Sequence, residues 1–208
     1  MEKMISNKKE VKTQIINQSL SKAITYQEYR ELVAYHTVNN TTTGPQQTEA
    51  LANYTLLNNA RMKRLDKTVR IPEAIMEKFI SFRGDHTWLV ITESWCGDAA
   101  QSMPAINKLA QLAPSIEFKV VLRDENPELM NAFLTNGSQS IPKLIVLDNK
   151  TNEVLADWGP RPSIATQMVH DFKERYGVLT PEFKQDLQVW YNNDKSQNII
   201  ENLARLID

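Results

Sequence analysis

The chain has 208 residues, 41% of them hydrophobic, and a formal net charge of −1, enough apolar material for one sizeable core with a subsidiary lobe. With a pI near 6.3, no global field draws it to nucleic acid or to an anionic membrane. Its single cysteine, Cys96, rules out an internal disulfide and with it a disulfide-stapled secreted scaffold.

The first ten residues are too polar to supply the apolar centre of a signal peptide. No run approaches the ~18 apolar residues of a membrane span, so a cytoplasmic protein is the expectation. Residues 1–18 carry no useful period and are expected to be frayed or loosely docked. Thr25-Tyr26-Gln27-Glu28 reads as a capping box opening a helix to about Thr37, with Tyr26, Tyr29, Leu32 and Val33 as its apolar stripe. Pro45 suits the first turn of a second helix, which should run to about Asp66 and bury Leu51, Tyr54, Leu57, Met62 and Leu65. Arg61, Lys63, Arg64, Lys67 and Arg70 make its end basic. Cations are favourably placed at a helix C-terminus, and a ligand- or partner-binding patch is the other reading.

A third helix, Glu73 to Phe82, presents Ile75, Met76, Phe79 and Ile80, and Gly84 is the expected left-handed stop. From there the period changes. Strands are expected over 87–92, 116–122, 141–147 and 153–158, with helices over 99–113 (interrupted by Pro104), 127–135 and 162–176. Ile164, Met168, Val169 and Phe172 should close the last of these onto the core. Helical connections between the first three strands suggest parallel crossovers, and the tight Asp148-Asn149-Lys150 turn demands an antiparallel fourth strand. The result is an α/β protein with a mixed sheet of about four strands covered by helices. Thr180-Pro181-Glu182 caps a further helix carrying Phe183, Leu187, Trp190 and Tyr191, and Ser196 starts a last one.

Cys96 sits where the apolar strand Trp88-Leu89-Val90-Ile91 turns into a helix beginning near Asp98. The free N–H groups and dipole of a helix start favour a thiolate. Trp95-Cys96-Gly97, Pro104 eight residues after the cysteine, and Ile141-Pro142 at the start of the third predicted strand together resemble the thioredoxin family. There they match the first half of the redox motif, the proline that kinks the active-site helix, and the proline whose preceding peptide is cis. Gly159 resembles the family's glycine near the substrate groove. The whole is similar to bacterial thioredoxin-like proteins that carry Trp-Cys-Gly-Asp here.

The resemblance implies a thioredoxin-like core over about 72–176, with an N-terminal helical extension (1–71) and C-terminal helices (177–208) packed on it as one domain. It implies a substrate groove formed by Trp95, Gly97, Asp98, Ile141, Pro142, Gly159 and Arg161 around Cys96.

Two departures narrow the chemistry. Ala99 stands where the family has its resolving cysteine, and Val90 where it often buries an aspartate. Cys96 can begin an exchange and cannot finish it alone, so the dithiol cycle is excluded for one chain. Turnover would need glutathione or another external thiol, acting on a protein disulfide or a small thiol. Asp98 could cap the helix, and its charge would disfavour ionisation of Cys96. Glu93 is either a further acid near the site or a solvent-facing residue. Trp95 reads as a groove wall, and Arg161 either as a carboxylate-binding group or as an exposed turn residue.

His36, His86 and His170 lack metal-ligand spacing, so no metal or resident cofactor is expected. A Cys–His hydrolase is disfavoured because His86 lies at the wrong end of its strand. A peroxidatic cysteine usually follows a threonine where this chain has Glu93, and monothiol glutaredoxins share only Cys-Gly. Two functions remain open: a monothiol thiol–disulfide oxidoreductase in redox homeostasis, and a non-catalytic binding or adaptor protein that uses the groove around Cys96 and Pro142. The extra helices offer a surface for a partner or a homodimer.

Overall fold

The computed structural model describes the backbone of residues 2–208 and the side chains from residue 10 onward. The expectation of a loosely docked start is corrected over residues 10–20. They belong to helix α1 (Glu2–Leu20), bury Ile16 and Ser19, and place the Lys12 ammonium 3.9 Å from the centre of the Phe133 ring. The same expectation for the side chains of residues 1–9 lies outside the described residues. A two-residue strand, β1 (Ile24–Thr25), leads into α2 (Tyr26–Val38). The capping box is present: the Glu28 N–H donates to Thr25 Oγ1 at 3.2 Å, and the Thr25 N–H to Glu28 Oε2 at 2.7 Å.

Helix α3 (Glu49–Thr68) starts at a Thr48 cap rather than at Pro45, and its buried face differs from the one expected. Tyr54 and Leu57 are 48% and 50% exposed, while Ala52, Thr55, Asn58, Met62 and Leu65 turn inward. Met62 and Leu65 are buried as expected, and the shift is confined to the first half of the helix, where the inward face moves by one residue, about 100°. The cause is polar. Thr55 and Asn58 hydrogen-bond the turn that precedes the cysteine, which hydrophobic periodicity does not reveal. Helix α4 (Glu73–Ser81) buries Phe79 and leaves Ile80 exposed. Gly84 is not left-handed: the helix ends at an extended Phe82, and Gly84 packs beside the Phe82 and His86 rings.

The sheet is built on β2 (His86–Thr92), buried along its whole length. Helix α5 (Gly97–Leu112) returns the chain to β3 (Ile116–Leu122), parallel to β2. Pro104 lies inside α5 and does not end it. After α6 (Pro127–Ala132), β4 (Lys143–Asp148) pairs with the other edge of β2, antiparallel rather than by the expected parallel crossover. β5 (Val154–Trp158) completes the hairpin. The order is β1-β3-β2-β4-β5, and β1 makes the sheet five-stranded instead of four-stranded. A two-residue strand inside a capping box carries no alternation to detect.

The chain closes with α7 (Ser163–Tyr176), α8 (Pro181–Asp194), α9 (Gln197–Ala204) and a short 3-10 turn, Arg205–Ile207. Ile164 is exposed and Ala165 takes the core position, with Val169 beside it. Ile199, Ile200 and Leu203 are fully buried, and Phe183, Leu187 and Tyr191 of α8 nearly so. No described helix is long and apolar enough to cross a membrane.

Candidate functional site

The central strand ends at Thr92, and Glu93–Cys96 form a tight turn in which the Cys96 N–H donates to the Glu93 carbonyl at 3.1 Å. Cys96 is the N-cap of α5, with no side-chain cap on the free N–H groups. Only 7% of its surface is exposed, and the thiol donates to the Ile141 carbonyl at 3.3 Å. The Ile141–Pro142 peptide is cis, as is Gly159–Pro160. Gly159 locks these two loops together. Its φ is +120°, and a Cβ there would lie 2.1 Å from the Pro142 carbonyl oxygen, so no larger residue fits.

Asp98 does not cap the helix. Its Oδ2 lies 2.7 Å from Arg161 Nη2, and its Oδ1 accepts from the Tyr191 hydroxyl at 3.0 Å. The proline turn after β5 supplies Arg161 and α8 supplies Tyr191, so the C-terminal helices reach the site. Burial, and then the charge of Asp98, push the Cys96 thiol up to about 12. The Ala99 and Asp98 N–H groups and Arg161 oppose that shift without overcoming it. The competition between helix terminus and carboxylate, open from the sequence, goes to burial and the carboxylate. Burial also holds the Asp98 carboxyl above the usual carboxylate range, against the pull of Arg161 and Tyr191.

Trp95 is half-buried, with the Arg123 guanidinium 4.8 Å from its ring centre, and Arg123 is held at 2.8 Å by Asp124. Glu93 does not face solvent: it is fully buried, accepting from the Asp124 N–H at 2.9 Å and from the Thr43 hydroxyl. Burial raises its carboxyl, and those two hydrogen bonds work against the rise. Ser94 is held by hydroxyls from two sides, Thr42 at 3.1 Å and Thr55 at 2.9 Å, and its carbonyl accepts from Asn58 Nδ2 at 2.9 Å. The loop after α2 and the inner face of α3 therefore form the back wall of the cysteine turn.

The structure gathers Trp95, Cys96, Gly97, Asp98, Ile141, Pro142, Gly159 and Arg161 into one neighbourhood. The residues that sequence reasoning missed are Thr43, Thr55, Asn58, Gln188 and Tyr191, all from the two flanking segments, whereas the sequence marks Arg61 as part of a basic helix end with ligand binding as one of two readings. Tyr191 was legible only as a stripe residue, and its hydroxyl was the one sign of a polar role. His86 sits at the opposite end of β2 from the thiol. Exposed His170, Asp171 and Glu174 bring ligand-type atoms within 4.8 Å of one another on α7, outside this neighbourhood.

A family model described as thioredoxin matches residues 44–173. The chain belongs to the thioredoxin family. The match begins before residue 72, so α3 lies inside the span that this thioredoxin-family chain shares with its relatives. Among solved structures, a protein of unknown function from Pseudomonas aeruginosa is similar with a TM-score of 0.56 and 18% identity, over 73% of this chain and 84% of that one. An HIV epitope-scaffold is similar with a TM-score of 0.57 and 16% identity, over 88% of this chain and 98% of that one. At such identities the likeness is one of fold. No curated protein matches the chain.

Proposed function

We propose that this thioredoxin-family protein, a Trp-Cys-Gly-Asp variant, is a single-thiol exchange protein whose turnover is completed by an external thiol. The observation that carries the reading is the contact between the Cys96 thiol and the carbonyl before cis-Pro142, with Ala99 where a resolving cysteine would act. Cys96 Sγ would bond to one sulfur of a substrate disulfide, the S–S bond would break, and the departing sulfur would take up the proton that Cys96 gives up. A second thiol, glutathione or another, would then attack the mixed disulfide and restore Cys96, with the substrate's remaining half leaving as its own mixed disulfide. The protein undergoes no net oxidation, and the partners are a protein disulfide or a small thiol.

Dithiodipyridine, a neutral disulfide, tests this. Mass spectrometry should find one adduct per folded chain, persisting until glutathione is added and then lost. A folded protein that forms no adduct while its urea-unfolded form does would refute the reading.

One observation favours a second reading, a groove that binds a partner without turnover. A thiol pushed up to about 12 rests protonated at neutral pH, and the thiolate is the attacking species. Under that reading the Cys96→Ser variant retains every partner the native protein captures. Under the first reading it loses those held as mixed disulfides.

A further inference from the structure

Gly97, next to the thiol, faces two side chains from the flanking helices. A Cβ at Gly97 would lie 3.6 Å from Arg61 Nη1 of α3 and 3.9 Å from Gln188 Nε2 of α8. Both side chains are held in place. Arg61 Nη1 donates to Asn58 Oδ1 at 2.9 Å, and Asn58 in turn donates to the Ser94 carbonyl, which ties the guanidinium to the cysteine turn. Gln188 Oε1 accepts from Gln101 Nε2 at 2.9 Å, which leaves the Gln188 amide N–H groups toward Gly97.

The charges around the thiol do not cancel. Arg161 pairs with Asp98, and Arg123 with Asp124. Among the described residues, neither Arg61 nor Arg64 has a carboxylate within ion-pair distance; Arg64 repels Arg61, and Asp98, already paired with Arg161, attracts it only from beyond that distance. Arg61 is also half-buried, which makes its unpaired charge more costly than at an exposed position. A preorganised guanidinium beside an amide N–H, neither of them held in an ion pair, suits a planar two-oxygen acceptor.

We infer that Arg61 and the Gln188 amide form a carboxylate-binding subsite beside Cys96, so that the thiol or disulfide received there carries a carboxylate. The inference rests on the single-thiol reading for the ligand's sulfur and on Arg61 and Gln188 alone for its carboxylate. The subsite is built from α3 and α8, so it selects among substrates through residues outside the sheet and the cysteine turn.

The full-length protein is reacted with two disulfides, dithiobis(nitrobenzoate), which bears carboxylates, and neutral dithiodipyridine. Arg61→Gln should lower the ratio of the two rates about tenfold at low salt, and Arg61→Lys should give an intermediate ratio. A merely structural role would move both rates together and leave the ratio unchanged, which would overturn the inference. The second measurement needs no reactivity. N-acetyl-S-methylcysteine and its neutral amide are titrated into the Cys96→Ser variant by NMR. The Gly97 amide and the Gln188 side-chain amide should shift with the carboxylate only, and Arg61→Gln should abolish that shift. If neither disulfide reacts but the carboxylate still binds, the single-thiol reading falls and the subsite stands. If both disulfides react with no preference and the carboxylate causes no shift, the subsite falls and the thiol reading stands.

Discussion

Arg161 Nη2 stands 2.7 Å from Asp98 Oδ2, two residues beyond the only cysteine of the chain. The pair acts on the thiol in opposite directions, the carboxylate raising its pKa and the guanidinium lowering it. Asp98→Asn removes the raising charge and keeps the shape. The midpoint of Cys96 alkylation against pH should therefore move down, and the rate with iodoacetamide at pH 8 should rise about tenfold, one pKa unit's worth. An unchanged midpoint would show that burial alone sets the thiol.

Arg161→Met leaves Asp98 buried with Tyr191 as its remaining partner. Truncating one member of a buried ion pair costs about 3–5 kcal/mol. Arg161 keeps 23% of its side-chain surface exposed, so a loss of about 2 kcal/mol in urea unfolding is expected. The thiol midpoint should move up, opposite to Asp98→Asn. Shifts of the same sign in both variants would contradict the arrangement.

Glu93 is the buried acid of the back wall, and its carboxyl is raised. The unfolded state gives up this proton at lower pH than the native state does. The stability it contributes is thus fully present below the unfolded pKa and is lost as pH rises toward the folded one. Glu93→Gln removes that dependence and preserves an acceptor for the Asp124 N–H. The melting temperature of the variant minus that of the native protein should become more positive between pH 4 and pH 7. A difference that stays flat would mean that Glu93 is not raised.

Gly159→Ala places a methyl group against the Pro142 carbonyl at a φ of +120°. Gly177 has a φ of +80° and nothing within 4 Å of its would-be Cβ, which makes it the matched control. Both changes carry a backbone penalty of about 1–3 kcal/mol. Only Gly159→Ala adds a clash with backbone, so its denaturation midpoint should fall clearly further, and it should disturb the Ile141 contact to Cys96.

The sheet and its covering helices were legible because β2 and β4 each hold an unbroken apolar run, 88–91 and 144–147, β3 ends on Val120-Val121-Leu122, and α5 follows β2 with a clear helical pattern. The cysteine, the proline loop and Gly159 were legible because each carries a residue type that few positions tolerate. What stayed hidden was polar and long-range. Thr55 and Asn58 look like the solvent side of an amphipathic helix, yet they face the turn at Ser94 across some forty residues of sequence. Asp98 read as a helix cap because its natural partners, Arg161 and Tyr191, arrive from more than sixty residues away. Periodicity registers burial of carbon and is silent about which hydroxyl meets which carbonyl.

The hydroxyl ring around Ser94 has a consequence for how this protein could be cut or recombined. A segment trimmed to residues 72–176 would keep the cysteine, the cis-proline loop and the sheet. It would also strand Glu93 and Ser94 without Thr42, Thr43, Thr55 and Asn58. Grafting the cysteine turn onto another scaffold would meet the same obstacle. The smallest portable unit is the turn together with the loop and helix that precede the sheet, and substitutions on either side of that seam must be inherited together.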